Sequence, residues 1–218
     1  MQSVYFYKVD ERFAEKLYVS YCTQLSSSRQ ALIKSYTFKS DRMLCFISEL
    51  LLRCVACNCL GIRNTDIEIK KNEYGKPYLE KFPEFCFNYA HTDSDVVLAV
   101  SRAAIGVDIE SKREINPGIV QRFFANDEQK YINNGLKAEH IDRVLETWTK
   151  KEAYLKYTGE GLRRPLFSFS VWDPLLFNKF QVFRIFNYIL SICGDSVPDG
   201  FNTIIVSNEM FIELLQKL

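Results

Sequence analysis

The sequence predicts an α+β protein of two comparable lobes, on three observations. Segments of strand character and segments of helical spacing occur in similar measure in both halves. Two apolar runs, "VVLAV" and "AIGVDIE", are joined at Ser101 to Ala103, where a hairpin or a hinge between halves is expected. At 218 residues the chain can bury a substantial core, either as one large domain or as two of about 100 residues each. The lobes are placed at residues 1–102 and 103–218.

The elements follow in order. "SVYFYKV" has the aromatic and β-branched content of a strand. "SSSRQALIKSYTF" opens with serines suited to helix capping, and Leu44, Ile47, Leu51 and Val55 continue at helical spacing. "DIEIKKNEYGKPYL" reads as a strand entering a turn at Gly75 and Pro77. A helical stretch around "FFANDEQKYINN" precedes a longer helix from Ile141 to Tyr157, and "KFQVFRIF" and "FNTIIVS" read as C-terminal strands.

Lys and Arg number 28 against 27 Asp and Glu, a net charge of +1, so no global field draws the chain to nucleic acid or to a membrane surface. Any bound anion must be held by local groups. The N-terminus lacks the pattern of a secretory signal, and the most apolar helical run, "LCFISELLLRCVACNCL", is interrupted by Glu49 and Arg53. It is expected to fall short of the roughly 20 apolar residues a membrane span requires. Seven cysteines in mostly apolar company suit free thiols in a reducing compartment, so a cytoplasmic chain is expected. Cys54, Cys57 and Cys59 lie in a helical pattern with no second Cys/His pair at ligand spacing, which weighs against zinc.

Strand alternation in "AIGVDIESK" turns Ile105, Val107 and Ile109 one way and Gly106, Asp108 and Glu110 the other. Two carboxylates this close repel unless a cation or a proton stands between them, and Gly106 leaves room for a ligand to approach. An ordinary strand with a wet polar side explains the same residues equally well. In the long helix, Ile141, Leu145, Trp148 and Leu155 form a core-facing seam, and Glu152 occupies the missing step. A carboxylate there is costly unless paired or metal-bound, and Lys156, one turn on, is either its structural partner or a binder of phosphate. Three acidic groups suit a hard cation such as Mg²⁺, which shares its shell with substrate phosphates. A diphosphate substrate follows. This chemistry leaves a phosphotransferase, a pyrophosphate hydrolase and a passive binder all open.

Taken together, "YGKP", "FNYAHTD", "GVDIE" and "WTKKEAYLKYTGEGL", in that order after "LLLR", resemble the 4′-phosphopantetheinyl transferase superfamily. The resemblance is to its long, two-lobed, monomeric, surfactin-synthetase-activating type. It implies two pseudo-symmetric subdomains with an active site in the cleft between them. The implied reaction transfers the phosphopantetheine arm of coenzyme A to a serine of an apo acyl, peptidyl or aryl carrier protein, releasing adenosine 3′,5′-bisphosphate. Asp108, Glu110 and Glu152 are then Mg²⁺ ligands. Glu152 is implied as the general base, directly or through a water, and Lys156 as the group that binds the phosphates and steadies the departing one.

His91 matches a histidine that contacts coenzyme A phosphate, Lys76 a lysine near the nucleotide, and Thr92 offers a hydroxyl to the phosphates. Of the basic positions expected to grip the 3′-phosphate, which fall on Arg29, Leu32 and Leu44, only Arg29 matches, and Ala90 stands where relatives often have serine. Weaker or rearranged nucleotide contacts are expected. Phe123, Phe124 and Glu128 resemble a family segment that is either core or, with Arg122, a docking surface for the carrier; Trp148 is assigned to packing, and Gly159 and Gly161 to the end of the helix. A non-catalytic coenzyme A binder and a metal-dependent nucleotide diphosphate hydrolase are the competing classes.

Overall fold

A computed structural model of the chain describes residues 2–116, 118–195, 197 and 200–218, with residue 162 described by its backbone alone. The chain runs β1 (Ser3–Lys8), α1 (Glu11–Tyr21), α2 (Ser27–Ser35), α3 (Lys39–Leu60), β2 (Ile69–Lys71), β3 (Pro77–Leu79), β4 (Cys86–Thr92), β5 (Asp95–Ser101) and β6 (Ile105–Ser111). It continues through α4 (Gly118–Phe123), α5 (Asn126–Asn133), α6 (His140–Thr158), β7 (Phe180–Ile185), β8 (Tyr188–Gly194), β9 (Asn202–Val206) and α7 (Asn208–Leu215).

Local chemistry sets several of these boundaries. The Asp10 carboxylate accepts from Phe13 N at 2.8 Å to start α1, and the Ser26 hydroxyl accepts from Arg29 N at 3.3 Å to start α2. Gly61 (φ 65°) and Gly159 (φ 74°) close α3 and α6 in the left-handed conformation that glycine adopts without strain. With 22 residues, α3 is long and apolar enough to cross a membrane, longer than the sequence suggested, yet 83% of its most apolar window is buried inside the protein. It is apolar on nearly every side because it is the central core helix. The two charges that interrupt it neutralise one another, with Arg53 Nε 3.0 Å from Glu49 Oε1.

One sheet has the order β4-β5-β1-β9, and a second has the order β6-β8-β7. The junction at Ser101 to Ala103 is therefore the passage from one sheet to the other. On one face of the first sheet, Tyr5, Tyr7, Leu98 and Val100 join α1, α3 and α7 in the larger core. On its other face, Val4, Phe6, Ala90, Val97 and Ala99 meet Ile105, Val107, Ile109, Leu190 and Ile192 of the second sheet. The far side of the second sheet is covered by α6, where the Thr149 and Ser191 hydroxyls lie 2.7 Å apart. Helix, sheet, sheet and helix thus stack in four layers, each sheet backed by one long helix.

Two expectations are corrected here. The second lobe does not run to residue 218: β9 pairs in parallel with β1, and α7 buries Phe211, Leu214 and Leu215 in the first core. The free edge of β1 would otherwise expose unpaired backbone groups, and the returning chain covers it. Nor does Gly106 make room for a ligand. A Cβ there would lie 2.0 Å from the Ala153 carbonyl oxygen and 2.3 Å from Tyr157 N, so its missing side chain lets α6 rest directly on β6. On α6, Leu145 and Leu155 are buried as the seam requires, whereas Ile141 sits at the open N-terminal end, 36% exposed.

Candidate functional site

The alternation of β6 places Gly106, Asp108 and Glu110 toward α6, which carries Glu152 and Lys156. Lys156 Nζ donates to Asp108 Oδ1 at 2.6 Å. Lys156 is thus the partner of Asp108 rather than of Glu152, as its spacing within the helix had suggested. The other carboxylate oxygen, Asp108 Oδ2, is buried without a hydrogen-bond partner. Glu110 Oε2 accepts from Arg113 at 3.3 Å. Burial pushes the carboxyls of Asp108, Glu110 and Glu152 above the usual range, and the charge of Asp108 pushes those of Glu110 and Glu152 further. All three acids therefore belong to one electrostatic neighbourhood, in which Lys156 acts on all three and Arg113 on Glu110 as well.

His91 lies on β4, exposed at the rim of this neighbourhood. Its pKa is lowered, first by protein that displaces part of its water and then by Lys156, while Asp108 and Asp41 act in the opposite sense. Thr92, the next residue, faces the other way and is buried, pairing with Asp95 across the β4–β5 hairpin. Its hydroxyl is not at the open surface expected for a phosphate contact. Tyr74, Lys76, Pro77 and Asn88 from the first lobe and Glu152, Leu155, Lys156 and Gly159 from the second line a cavity of about 270 Å³. The Asn88 side chain also ties the lobes together, its Oδ1 accepting from Val107 N at 2.9 Å.

Lys76, expected near the nucleotide, lines this cavity, and its ammonium is engaged by the protein, donating to the carbonyls of Ile105 at 3.0 Å and Tyr157 at 2.8 Å. Arg29 is likewise engaged, its Nε 2.9 Å from Glu49 Oε2 and its Nη2 donating to the Cys45 carbonyl at 2.6 Å. It lines a separate cavity of about 500 Å³ with Leu32, Arg53, Lys71 and Tyr89. Leu44 is buried in the larger core, and Ala90 packs between the two sheets. Neither position faces solvent.

The sequence reading missed one pair of residues that holds the site in place. Lys151 and Glu128 are both fully buried, with Nζ 2.7 Å from Oε1. Lys151 also donates to the Phe169 carbonyl at 2.6 Å, and Glu128 accepts from Val171 N at 2.9 Å and Ala125 N at 2.8 Å. The pair fixes α6 to α5 and to the segment after it. The signal was present as the glutamate of "FFANDE" and the second lysine of "WTKKEA". Phe124 is core, and Phe123 meets Trp148 edge to face with centroids 5.8 Å apart, so these aromatics pack rather than stand open to a partner.

The residues present fit a hard divalent cation in their chemistry. The donors are carboxylate oxygens, one of them is buried and unpartnered, and burial and then the charge of Asp108 raise the pKa of both glutamates, a shift that a bound cation would reverse. They do not yet converge: among the described residues, no group of three His, Cys, Asp or Glu side chains forms a ready metal cluster. Lys156 holds Asp108, and Arg113 draws on Glu110.

Comparison with known proteins agrees with this layout. Residues 14–103 match the family described as 4′-phosphopantetheinyl transferase, N-terminal, and residues 104–188 match the 4′-phosphopantetheinyl transferase superfamily. The chain is 31% identical over 171 residues to 4′-phosphopantetheinyl transferase gsp of Aneurinibacillus migulanus, covering 78% of this chain and 71% of that protein. It is 31% identical over 147 residues to 4′-phosphopantetheinyl transferase Sfp of Bacillus subtilis strain 168, covering 67% and 66%. A further relative, 4′-phosphopantetheinyl transferase HetI of a Nostoc species, is 29% identical over 147 residues, covering 64% and 62%. With family matches over residues 14–103 and 104–188 and a relative 31% identical over 78% of this chain, the chain belongs to the 4′-phosphopantetheinyl transferase superfamily.

Proposed function

We propose that the protein moves the phosphopantetheine arm of coenzyme A onto a serine of an apo acyl or peptidyl carrier protein, with Mg²⁺ held by Asp108, Glu110 and Glu152. The observation that carries the reading is the buried, unpartnered Asp108 Oδ2 beside Lys156, at an acidic neighbourhood bordering a cavity lined by both lobes. When bound, the cation supplies charge neutralisation across the pyrophosphate.

The chain's own residues do the rest. Glu152, whose pKa burial and Asp108 push upward, takes the proton of the carrier serine directly or through a water as the hydroxyl attacks the β-phosphorus. Lys156 stands over Asp108 and offsets the charge that grows on the departing 5′-phosphate. His91, held short of full charge by its surroundings, offers a ring N–H to a phosphate oxygen. Both lobes lie in one chain, so the site is complete in a monomer. The seven free cysteines suit a reducing, cytoplasmic setting.

The test incubates the purified protein with coenzyme A, MgCl₂ and several apo carrier proteins and reads the mass of the carrier. The expected result is a phosphopantetheine adduct on one serine, lost with EDTA and lost in Glu152→Gln while the fold is retained. Cleavage of coenzyme A without carrier modification would replace this reading with a hydrolase, and binding without turnover would replace it with a passive binder.

A further inference from the structure

Lys76 sits where three parts of the site meet. It belongs to the turn between β2 and β3, whose backbone is pinned by Asn72: Oδ1 accepts from Tyr74 N at 3.0 Å and from Lys76 N at 2.8 Å. From that turn the side chain crosses to the second lobe and donates to Ile105 O and Tyr157 O. Ile105 opens β6, the strand of Asp108 and Glu110, and Tyr157 lies next to Lys156 in the last turn of α6.

The acceptors explain the residue. The last carbonyls of a helix have no amide partner within it, and a cation there also meets the negative end of the helix dipole. Tyr157 O is such a carbonyl. Gly159, which caps α6, has no side chain, and a Cβ there would come within 3.1 Å of Lys76 Cδ. The aliphatic stem therefore passes beneath the helix cap. Arg163, just beyond the cap, places its guanidinium 5.2 Å from the centre of the Tyr74 ring and closes the same contact from outside. Two of the three ammonium donors are thus committed to backbone oxygens. Burial holds the pKa at about 8, as befits an ammonium with little water left to exchange for a phosphate.

We propose that Lys76 is a positioning residue: its ammonium staples the β2–β3 turn to the start of β6 and the end of α6, and so fixes the distance between the acids of β6 and Glu152 and Lys156 of α6. It does not serve as a ligand for the substrate phosphates. The kinetic part of this proposal rests on the transferase reading above; the structural part does not.

The test uses the full-length protein and Lys76→Met, which keeps the stem and removes the donors. Without the staple, kcat falls about 10-fold or more while KM for coenzyme A stays within about twofold, because a small misplacement of reacting groups is costly and the phosphate contacts are intact. In the free protein, amide hydrogen exchange rises about 10-fold in residues 72–79 and in the last turn of α6, with α3 unchanged. A rise in KM with kcat retained, or unchanged exchange in both segments, overturns the proposal. Should Lys76→Met fail to fold, Lys76→Arg decides the matter. Its longer, planar fork replaces the compact ammonium between the two carbonyls, so the staple predicts the same kcat loss and local exchange, whereas a phosphate ligand would keep its activity. If the wild-type protein modifies no carrier, the transferase reading fails, and the exchange measurement still tests the staple.

Discussion

Replacing Lys151 with methionine removes one half of an ion pair in which neither side chain is exposed to solvent. Glu128 would keep its two backbone donors, Val171 N and Ala125 N, but would lose the ammonium 2.7 Å away. Leaving one partner of a buried pair uncompensated costs about 3–5 kcal/mol. The two remaining hydrogen bonds favour the lower end, about 3 kcal/mol, or on the order of 10 °C in Tm for a chain of this size. The loss has a pH signature. Burial already raises the Glu128 pKa against the lowering effect of Lys151, and without the lysine it rises further. A carboxyl whose folded pKa exceeds its unfolded value loses stability as pH climbs through the folded value, so the variant should be hurt most at pH 8 and recover toward pH 5. Urea unfolding at both values, with Glu128→Gln added to Lys151→Met, measures it. The double variant buries no charge and should regain part of the loss at pH 8. A loss under about 1 kcal/mol, or one indifferent to pH and to the second substitution, would refute the reasoning.

Gly106→Ala would drive its Cβ into the α6 backbone at 2.0 Å; helix and strand must separate, costing about 1–3 kcal/mol by urea unfolding and most of the transfer activity. Asp108→Asn relieves one unpartnered oxygen but weakens the pair with the partly exposed Lys156, so Tm should change little while activity is lost. Wild type should gain Tm on adding MgCl₂ with coenzyme A by mass action, and Asp108→Asn should not. Lys76 has a pKa lowered by burial from 10.5 to about 8, so the unfolded chain binds its proton more tightly between those values. Wild-type stability relative to Lys76→Met should therefore grow from pH 8 to pH 10.5, by at most about 3 kcal/mol, as read by denaturant titration across that range.

Much of the fold is written locally. The serines before α2, the glycines after α3 and α6, and the period of two in β6 act through neighbours along the chain, and each behaves in the structure as its chemistry requires. What covers each face is not local. Strand alternation assigns Gly106, Asp108 and Glu110 to one side of β6, but whether water, ligand or helix lies on that side depends on a segment some 45 residues later. The return of β9 to β1 is similarly hidden, because "FNTIIVS" has the same strand character whichever sheet it joins.

Charged groups show this limit most sharply, since their chemistry reads the same whether they face substrate or protein. Lys150, Lys151 and Lys156 stand within two turns of one helix. At about 100° per residue they leave it in different directions. Lys150 pairs with Glu146 and lies over the Trp172 ring, Lys151 enters the core to meet Glu128, and Lys156 turns to Asp108. A residue's presence in a family motif shows that the reaction or the fold needs it, without saying which. For Lys151, Lys76 and Arg29 the partners are Glu128, two carbonyls, and Glu49 with a carbonyl, all within the protein. For Asp108 one oxygen is buried without a partner beside Glu110 and Glu152, whereas the Lys151 and Lys76 ammoniums are met by protein oxygens, and that contrast supports the proposed metal role of Asp108 and a structural one for the two lysines.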